Sequence, residues 1–518
     1  MIRNLLNPPV GSVGHHKRDL KIFLILVIIL FNTNLFFQSE ILPARFAEKP
    51  RGGRQLGNPK SEIQELQSDI NKLIDDPFFD QSTISIDIYD LTEDKSLYQH
   101  NNKLLLHPAS NMKILTSIAG LINLGEYYTF RTDLFHTGVI ENDTLYGNIF
   151  ISGGFDPDFT TKDLDSLVSV VKSLGIRCIT GGIYGDVSKK DSLYWGEGWM
   201  WDDDPAPSAP YLSALNINDN SVEVFVEGTE VDSAAKVSLN PETDFISIEN
   251  NSKTVSAIHP NKFSINRDWV GRKNKITIDG NVRNASVIDS ADHIEKINIL
   301  CPEKYFITLF KEHLEKKGIY VQKQCDVKRL PDNTVYLNSI YRPIDTVLSD
   351  LNKESDNLNA EMIIYAIAYK DSGAPAYAKD GLAAICRLID SLGLNSKDYY
   401  IADGSGVSHY NLISSELIVE VLKYIYYKRK DLFPLFYNSL SVAGIDGTLE
   451  KRMWDTYAEG NVHAKTGTLR GASTLSGYVT AKNGNLIAFS ILIQNFVDSY
   501  SVARRFQDKI CVLLSDFE

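Results

Sequence analysis

The stretch Thr474-Leu475-Ser476-Gly477-Tyr478-Val479-Thr480, then Lys482-Asn483-Gly484, then Leu486-Ile487-Ala488-Phe489-Ser490-Ile491-Leu492-Ile493 reads as strand, turn, strand. β-Branched and aromatic residues recur in both runs, and the Asn-Gly pair between them suits a hairpin turn. Val502, Phe506, Ile510 and Leu513 then recur at helical spacing, so an amphipathic helix closes the chain. A matching strand lies near the other end, where Ile84, Ile86 and Ile88 alternate with Ser85, Asp87 and Tyr89. These segments predict an α/β (α+β) fold whose antiparallel sheet, flanked by helices, draws on both ends of the chain.

Working outward, Ile63, Leu66, Ile70 and Leu73 predict a helix before the first strand. Asn101-Asn102 marks a turn, and His107-Pro108-Ala109 leads into a helix with Met112, Leu115, Ile118 and Ile122 on one side. From about residue 125 to 342 the character changes. Short alternating segments at 144–151, 221–226 and 275–278 are separated by Gly, Asn and Asp, as in small β-rich modules. After Pro343 helices return, at 357–369 and 379–392. The organisation expected is therefore one domain in two parts, 61–124 and 346–518, interrupted by one or two β-rich domains over 125–345.

The first residues carry a different signal. Lys17, Arg18 and Lys21 precede an apolar run over 22–31, with Leu35, Phe36 and Phe37 just beyond. A basic flank before a short apolar stretch marks residues 1–47 as an export signal or, if uncleaved, an N-terminal membrane anchor. Residues 48–60, with Pro50, Gly52, Gly53, Gly57 and Pro59, read as a linker. A periplasmic or cell-envelope location follows. The net charge of -13 argues against a nucleic-acid groove, which needs clustered Lys and Arg. The five cysteines, at 178, 301, 325, 386 and 511, lack any C-x-x-C and imply neither a disulfide framework nor a zinc site.

Three short strings carry chemistry. Ser110-Asn111-Met112-Lys113 sits at a helix start, where i and i+3 share a face, so the lysine amine can approach the serine hydroxyl. A serine hydroxyl needs an adjacent base, and a lysine becomes one only when burial or a second cation disfavours its charge. The pattern S-x-x-K arises by chance about twice in a chain of this size, and Ser169-Val170-Val171-Lys172 and Ser233-Ala234-Ala235-Lys236 also fit it. Ser355-Asp356-Asn357 precedes a predicted helix, where all three residue types also make good caps. Lys465-Thr466-Gly467-Thr468 precedes the hairpin; on an edge strand its Lys and Thr can hold a carboxylate, and its Gly admits another backbone.

In this order the strings form the set that marks active-site serine penicillin-binding proteins and β-lactamases. The chain resembles the peptidase S13 family, low-molecular-mass class C penicillin-binding proteins that act as D-alanyl-D-alanine carboxypeptidases with endopeptidase activity. The separation of Ser110 from Ser355 (355 − 110 = 245 residues) is similar to that family's, which places additional domains between the first two motifs. Further strings resemble it: Gly153-Gly154-Phe155-Asp156-Pro157, Asp403-Gly404-Ser405-Gly406-Val407-Ser408 and Ala443-Gly444-Ile445-Asp446-Gly447-Thr448-Leu449.

The resemblance implies a penicillin-binding/β-lactamase-like catalytic domain in which Ser110 is the nucleophile and Lys113 its base. It implies that Ser355 relays a proton, that Asn357 orients Lys113 and the substrate amide, and that Lys465 and Thr466 receive a carboxylate. The N–H groups of Ser110 and Thr468 would form an oxyanion hole. Peptidoglycan stem peptides are the implied substrates and β-lactam antibiotics the covalent inhibitors, with no metal or organic cofactor. Relatives often carry Arg after the D-G-S-G-L-S string; His409 stands there, as a substrate contact or a plain surface histidine. A β-lactamase, or a penicillin-binding sensor or scaffold with little turnover, shares the motifs.

Overall fold

The computed structural model describes residues 59–284 and 294–518. The segment read as an export signal or anchor, and most of the linker after it, lie outside the described residues. Among the described residues no helix is long and apolar enough to cross a membrane.

The organising element is a six-stranded antiparallel sheet. Across it run Ser441–Val442, His463–Leu469, Ala472–Thr480, Leu486–Gln494, Thr83–Asp90 and Lys95–His100. The hairpin forms in register, with Thr480 opposite Leu486 and Ala472 opposite Gln494. Gly484 takes φ 92 in its turn, a conformation that favours glycine. The strand Leu486–Gln494 is covered on both faces, which is why its sequence is nearly continuous in apolar residues rather than alternating. Its other neighbour is Thr83–Asp90, so segments about 400 residues apart in sequence pair inside one sheet.

Apolar clusters cover both faces. On one side the helices Met112–Leu124, Asn357–Ser372, Ala378–Ser391 and Ser415–Lys428 bury their aliphatic stripes together with Leu492 and Tyr478. On the other, Pro59–Ile74 and Tyr500–Ser515 pack through Leu66, Ile70, Phe506 and Ile510. The helix Asn357–Ser372 is buried almost all round because the neighbouring helices enclose it.

A third cluster lies wholly within residues 134–340. Four smaller sheets belong to that part of the chain, two of three strands, one of four and one of five. Two differences from the sequence reading stand out there. The alternation at 144–151 is two strands, Thr144–Tyr146 and Ile149–Ser152, in different sheets. The break falls at Gly147, where a Cβ would lie 1.7 Å from the Thr137 carbonyl oxygen, so the chain turns where only glycine fits. The same part also carries two helices, Thr161–Ser173 and Pro302–Lys316. Leu164, Leu167, Val168 and Val171 of the first are buried, a helical spacing that was present in the sequence.

Candidate active site

Ser110 lies in a single 3-10 turn, Ala109–Asn111, that runs directly into Met112–Leu124. Ala109 has φ 47, a left-handed conformation costly for a side-chain-bearing residue and characteristic of functional turns. One turn further on, Lys113 is fully buried. Its Nζ lies 3.1 Å from Ser110 Oγ, 2.5 Å from Asn357 Oδ1 and 2.6 Å from the Ser405 carbonyl oxygen. Three acceptors satisfy an ammonium. A neutral amine has two hydrogens and a lone pair, so it can donate to Asn357 and Ser405 and accept the proton of Ser110.

Asn357 opens the helix Asn357–Ser372. The capping role foreseen for this string falls to Asp356, whose carboxylate accepts from Asn359 N at 2.9 Å. Asn357 is thus left to face Lys113, and its Nδ2 donates to Ser208 O at 2.5 Å. Ser355 holds φ 65, a second left-handed residue beside the cleft. Deeper on the same helix, Glu361 Oε1 accepts from Gly404 N (3.0 Å) and Ser405 N (2.8 Å). Asp403 accepts from Gly406 N (2.8 Å), Ser408 N (2.7 Å) and Trp199 Nε1 (2.8 Å). These two carboxyl groups shape the 403–408 loop and aim the Ser405 carbonyl at Lys113.

The strand His463–Leu469 pairs with Ser441–Val442 only at His463 and Ala464. From Lys465 onward its outer edge is open, and Thr466, Gly467 and Thr468 line the cleft there. A Cβ on Gly467 would lie 2.1 Å from Thr474 Oγ1 and 3.0 Å from Ser110 N, so only glycine lets this strand reach the serine turn. Asn111 stitches the two together: its side-chain amide donates to Lys465 O (3.0 Å) and Thr474 Oγ1 (2.8 Å) and accepts from Ser476 N (3.1 Å). Thr466 Oγ1 donates to Thr448 Oγ1 at 2.7 Å, which is how the 443–449 string enters the site.

The cleft has a volume of about 490 Å³, and Ser110, Ser355 and Asn357 line it with the three K-T-G-T residues just named. Burial pulls the Lys113 amine down to about 8, against Asp403, Asp356 and Glu361, which pull it up. Lys465, fully buried behind the cleft wall, is held well below its ordinary value by burial and by the neighbouring Lys113 charge. Two ammonium groups repel in so dry a space, so the two amines do not readily carry charge together.

Ser110, Lys113, Ser355, Asn357, Lys465, Thr466, Gly467 and Thr468 are therefore brought to one place. The two other S-x-x-K serines are elsewhere: Ser169 is exposed on a helix, bonded to Asp165 O, and Ser233 is exposed in a turn. His409 does not line the cleft; its ring is 5.8 Å from that of His107. Sequence reasoning gave no role to Ser405, Glu361, Ser208, Arg452 or Arg504. Ser405 and Ser208 act through backbone carbonyls, which carry no residue signature, and Glu361, Arg452 and Arg504 belong to none of the quoted strings.

The sequence profile of the D-Ala-D-Ala carboxypeptidase 3 (S13) family matches residues 66–517. The chain belongs to this family. The S13 chain is 29% identical over 471 residues to a D-alanyl-D-alanine carboxypeptidase of Actinomadura sp. (strain R39), covering 88% of this chain and 85% of that one. It is 26% identical over 415 residues to the D-alanyl-D-alanine carboxypeptidase DacB of Haemophilus influenzae, covering 79% and 84%. Its fold is that of the crystal structure of penicillin binding protein 4 (dacB) from Haemophilus influenzae, with a TM-score of 0.75 at 23% identity over 86% of this chain and 99% of that one.

Proposed function

We propose that this S13 chain is an exported serine-type D-Ala-D-Ala carboxypeptidase, acting also as a DD-endopeptidase, that trims peptidoglycan stem peptides. The observation that carries the reading is the buried Lys113 amine, 3.1 Å from Ser110 Oγ and held from behind by Asn357 and Ser405. Ser110 Oγ attacks the carbonyl carbon of the penultimate D-Ala while its proton passes to Lys113. The N–H groups of Ser110 and Thr468 receive the oxyanion. Collapse breaks the C–N bond; the leaving amine takes a proton relayed by Ser355 and departs as D-alanine. Water then hydrolyses the ester, returning the proton to Ser110. Thr466 serves the terminal carboxylate. Residues 125–345 form an insertion, and the basic, apolar N-terminus directs the chain to the cell envelope.

Release of D-alanine from a muropeptide pentapeptide, together with covalent labelling by fluorescent penicillin, tests this reading. Both are expected of the wild type and neither of Ser110→Ala. Rapid penicillin turnover without D-alanine release would instead make it a β-lactamase, and stable labelling without release a sensor.

A further inference from the structure

A peptide ending in a free carboxylate calls for a cation that faces the cleft. Lys465 is fully buried and does not line the cleft, and its amine donates to its own neighbour's carbonyl oxygen, Thr466 O, at 3.1 Å. The cations that do line it are Arg452 and Arg504. Arg452 is committed elsewhere: it donates to Asp508 Oδ1 from Nη2 at 2.6 Å and from Nε at 2.9 Å, and to Gln507 Oε1 at 3.1 Å. Arg504, on the terminal helix Tyr500–Ser515, has no such partner. Among the described residues no carboxylate oxygen lies within 4.0 Å of its guanidinium. Its Nη2 donates to Thr468 Oγ1 at 3.3 Å, at the open end of the edge strand. Asp508 is near enough to be felt, but Arg452 holds it.

We propose that Arg504 is the specificity-determining cation of this site: its guanidinium, with the hydroxyls of Thr466 and Thr468, takes the C-terminal carboxylate of the peptide. The inference rests on the peptidase reading above. A guanidinium presents parallel N–H donors that match a carboxylate, and it stays charged when a buried lysine does not. Partial burial and the neighbouring Arg452 pull the Arg504 guanidinium below its ordinary value, yet a guanidinium stays charged throughout the working pH range. The free carboxylate is then selected from the terminal helix.

The test compares wild type, Arg504→Gln and Arg504→Lys on an N-acylated peptide ending in D-Ala-D-Ala and on its C-terminal carboxamide. Arg504→Gln is expected to raise KM for the acid about tenfold, as loss of one charge-assisted contact does. The rate on the carboxamide stays the same, so the preference for acid over amide falls by the same factor. Arg504→Lys recovers part of it. A preference unchanged in Arg504→Gln, or equal losses on both peptides, overturns the inference while leaving the peptidase reading intact. A wild type that cleaves the terminal bond of neither peptide, releasing neither D-alanine nor D-alaninamide, overturns both.

Discussion

The carbonyl oxygen of Ser405 accepts a hydrogen bond from Lys113 Nζ at 2.6 Å, across 292 residues of sequence. That contact, with Asn357 Oδ1, fixes two directions around the amine and leaves the third toward Ser110. The carbonyl is aimed by Asp403 and Glu361, which between them hold the N–H groups of residues 404, 405, 406 and 408. Lysine orientation in this site is thus a property of a loop remote from the serine.

Asp403→Asn tests this. Asp403 accepts five hydrogen bonds, from Gly406 N, Ser408 N, Ser405 Oγ, Asn411 Nδ2 and Trp199 Nε1. An amide replaces one acceptor oxygen by a donor, which then faces other donors in a buried space. Leaving such groups unpaired costs about 1–3 kcal/mol each. Acylation by penicillin is expected to slow at least about tenfold with a lowered Tm, while far-ultraviolet circular dichroism is unchanged. Wild-type acylation in a folded Asp403→Asn would show that the loop does not orient the base.

The two lysines give a prediction in pH. A base must be unprotonated, so acylation rises with pH through the Lys113 value, about 8 rather than the ordinary 10.5. Burial, and not a neighbouring cation, is what pulls Lys113 down, and Lys465 is itself held well below its ordinary value by burial and by Lys113. Lys465→Gln is therefore expected to leave the acid limb in place, and Lys113→Arg to abolish acylation, because guanidinium does not release its proton. Second-order acylation rates measured from pH 5 to 10 decide it. An upward shift of the limb in Lys465→Gln would mean that Lys465 carries the charge after all.

Gly467→Ala should separate folding from catalysis. A Cβ there would stand 2.1 Å from Thr474 Oγ1 and 3.0 Å from both Pro108 O and Ser110 N. The strand must retreat from the serine turn by a few tenths of an ångström or more, which displaces one oxyanion donor from the other. A loss of about 10² to 10³ in acylation rate is expected, the size seen when such a donor is removed. Acylation near the wild-type rate would mean that the edge strand and the serine turn need not touch.

The parts of this site that sequence displayed are those with a periodic or compositional signature. The hairpin at 472–494 was legible because its strands are β-rich and its turn is Asn-Gly, and the Ser110 helix because apolar residues recur at 3.6. Lys113 and Asn357 were legible only as members of an ordered set of strings. Geometry that depends on a backbone atom, such as Ser405 O, or on which of two buried amines keeps its proton, has no residue pattern to betray it. Arg504 belongs to a helix predicted from its apolar face, and the pattern is silent on what the polar face meets. The helix Thr161–Ser173 carries its own signature, since Leu164, Leu167, Val168 and Val171 are spaced for one buried face.

Asp158, in the Gly153-Gly154-Phe155-Asp156-Pro157 neighbourhood, is linked to the Asn357–Ser372 helix: Asn359 Nδ2 donates to Asp158 Oδ1 at 2.8 Å. Asp158 Oδ2 and Asn359 Oδ1 are both buried without partners, and burial pushes the Asp158 carboxyl up to about 8. One proton resolves both orphans, since a protonated Oδ2 can donate to Asn359 Oδ1 and close a cyclic acid–amide pair. The unfolded chain ionises this group near 3.9, while the folded chain keeps its proton to about 8. Between those values the folded state binds the extra proton, so this group's contribution to stability is full at low pH and falls as pH rises toward 8. Asp158→Asn carries a donor permanently in that place and cannot ionise. Urea unfolding at pH 5, 6, 7 and 8 is expected to show wild type losing stability relative to Asp158→Asn at each step, with little further change above pH 8. A difference between the two proteins that stays constant with pH would mean that Asp158 is ionised in the folded state throughout, and that the proton-sharing pair does not form.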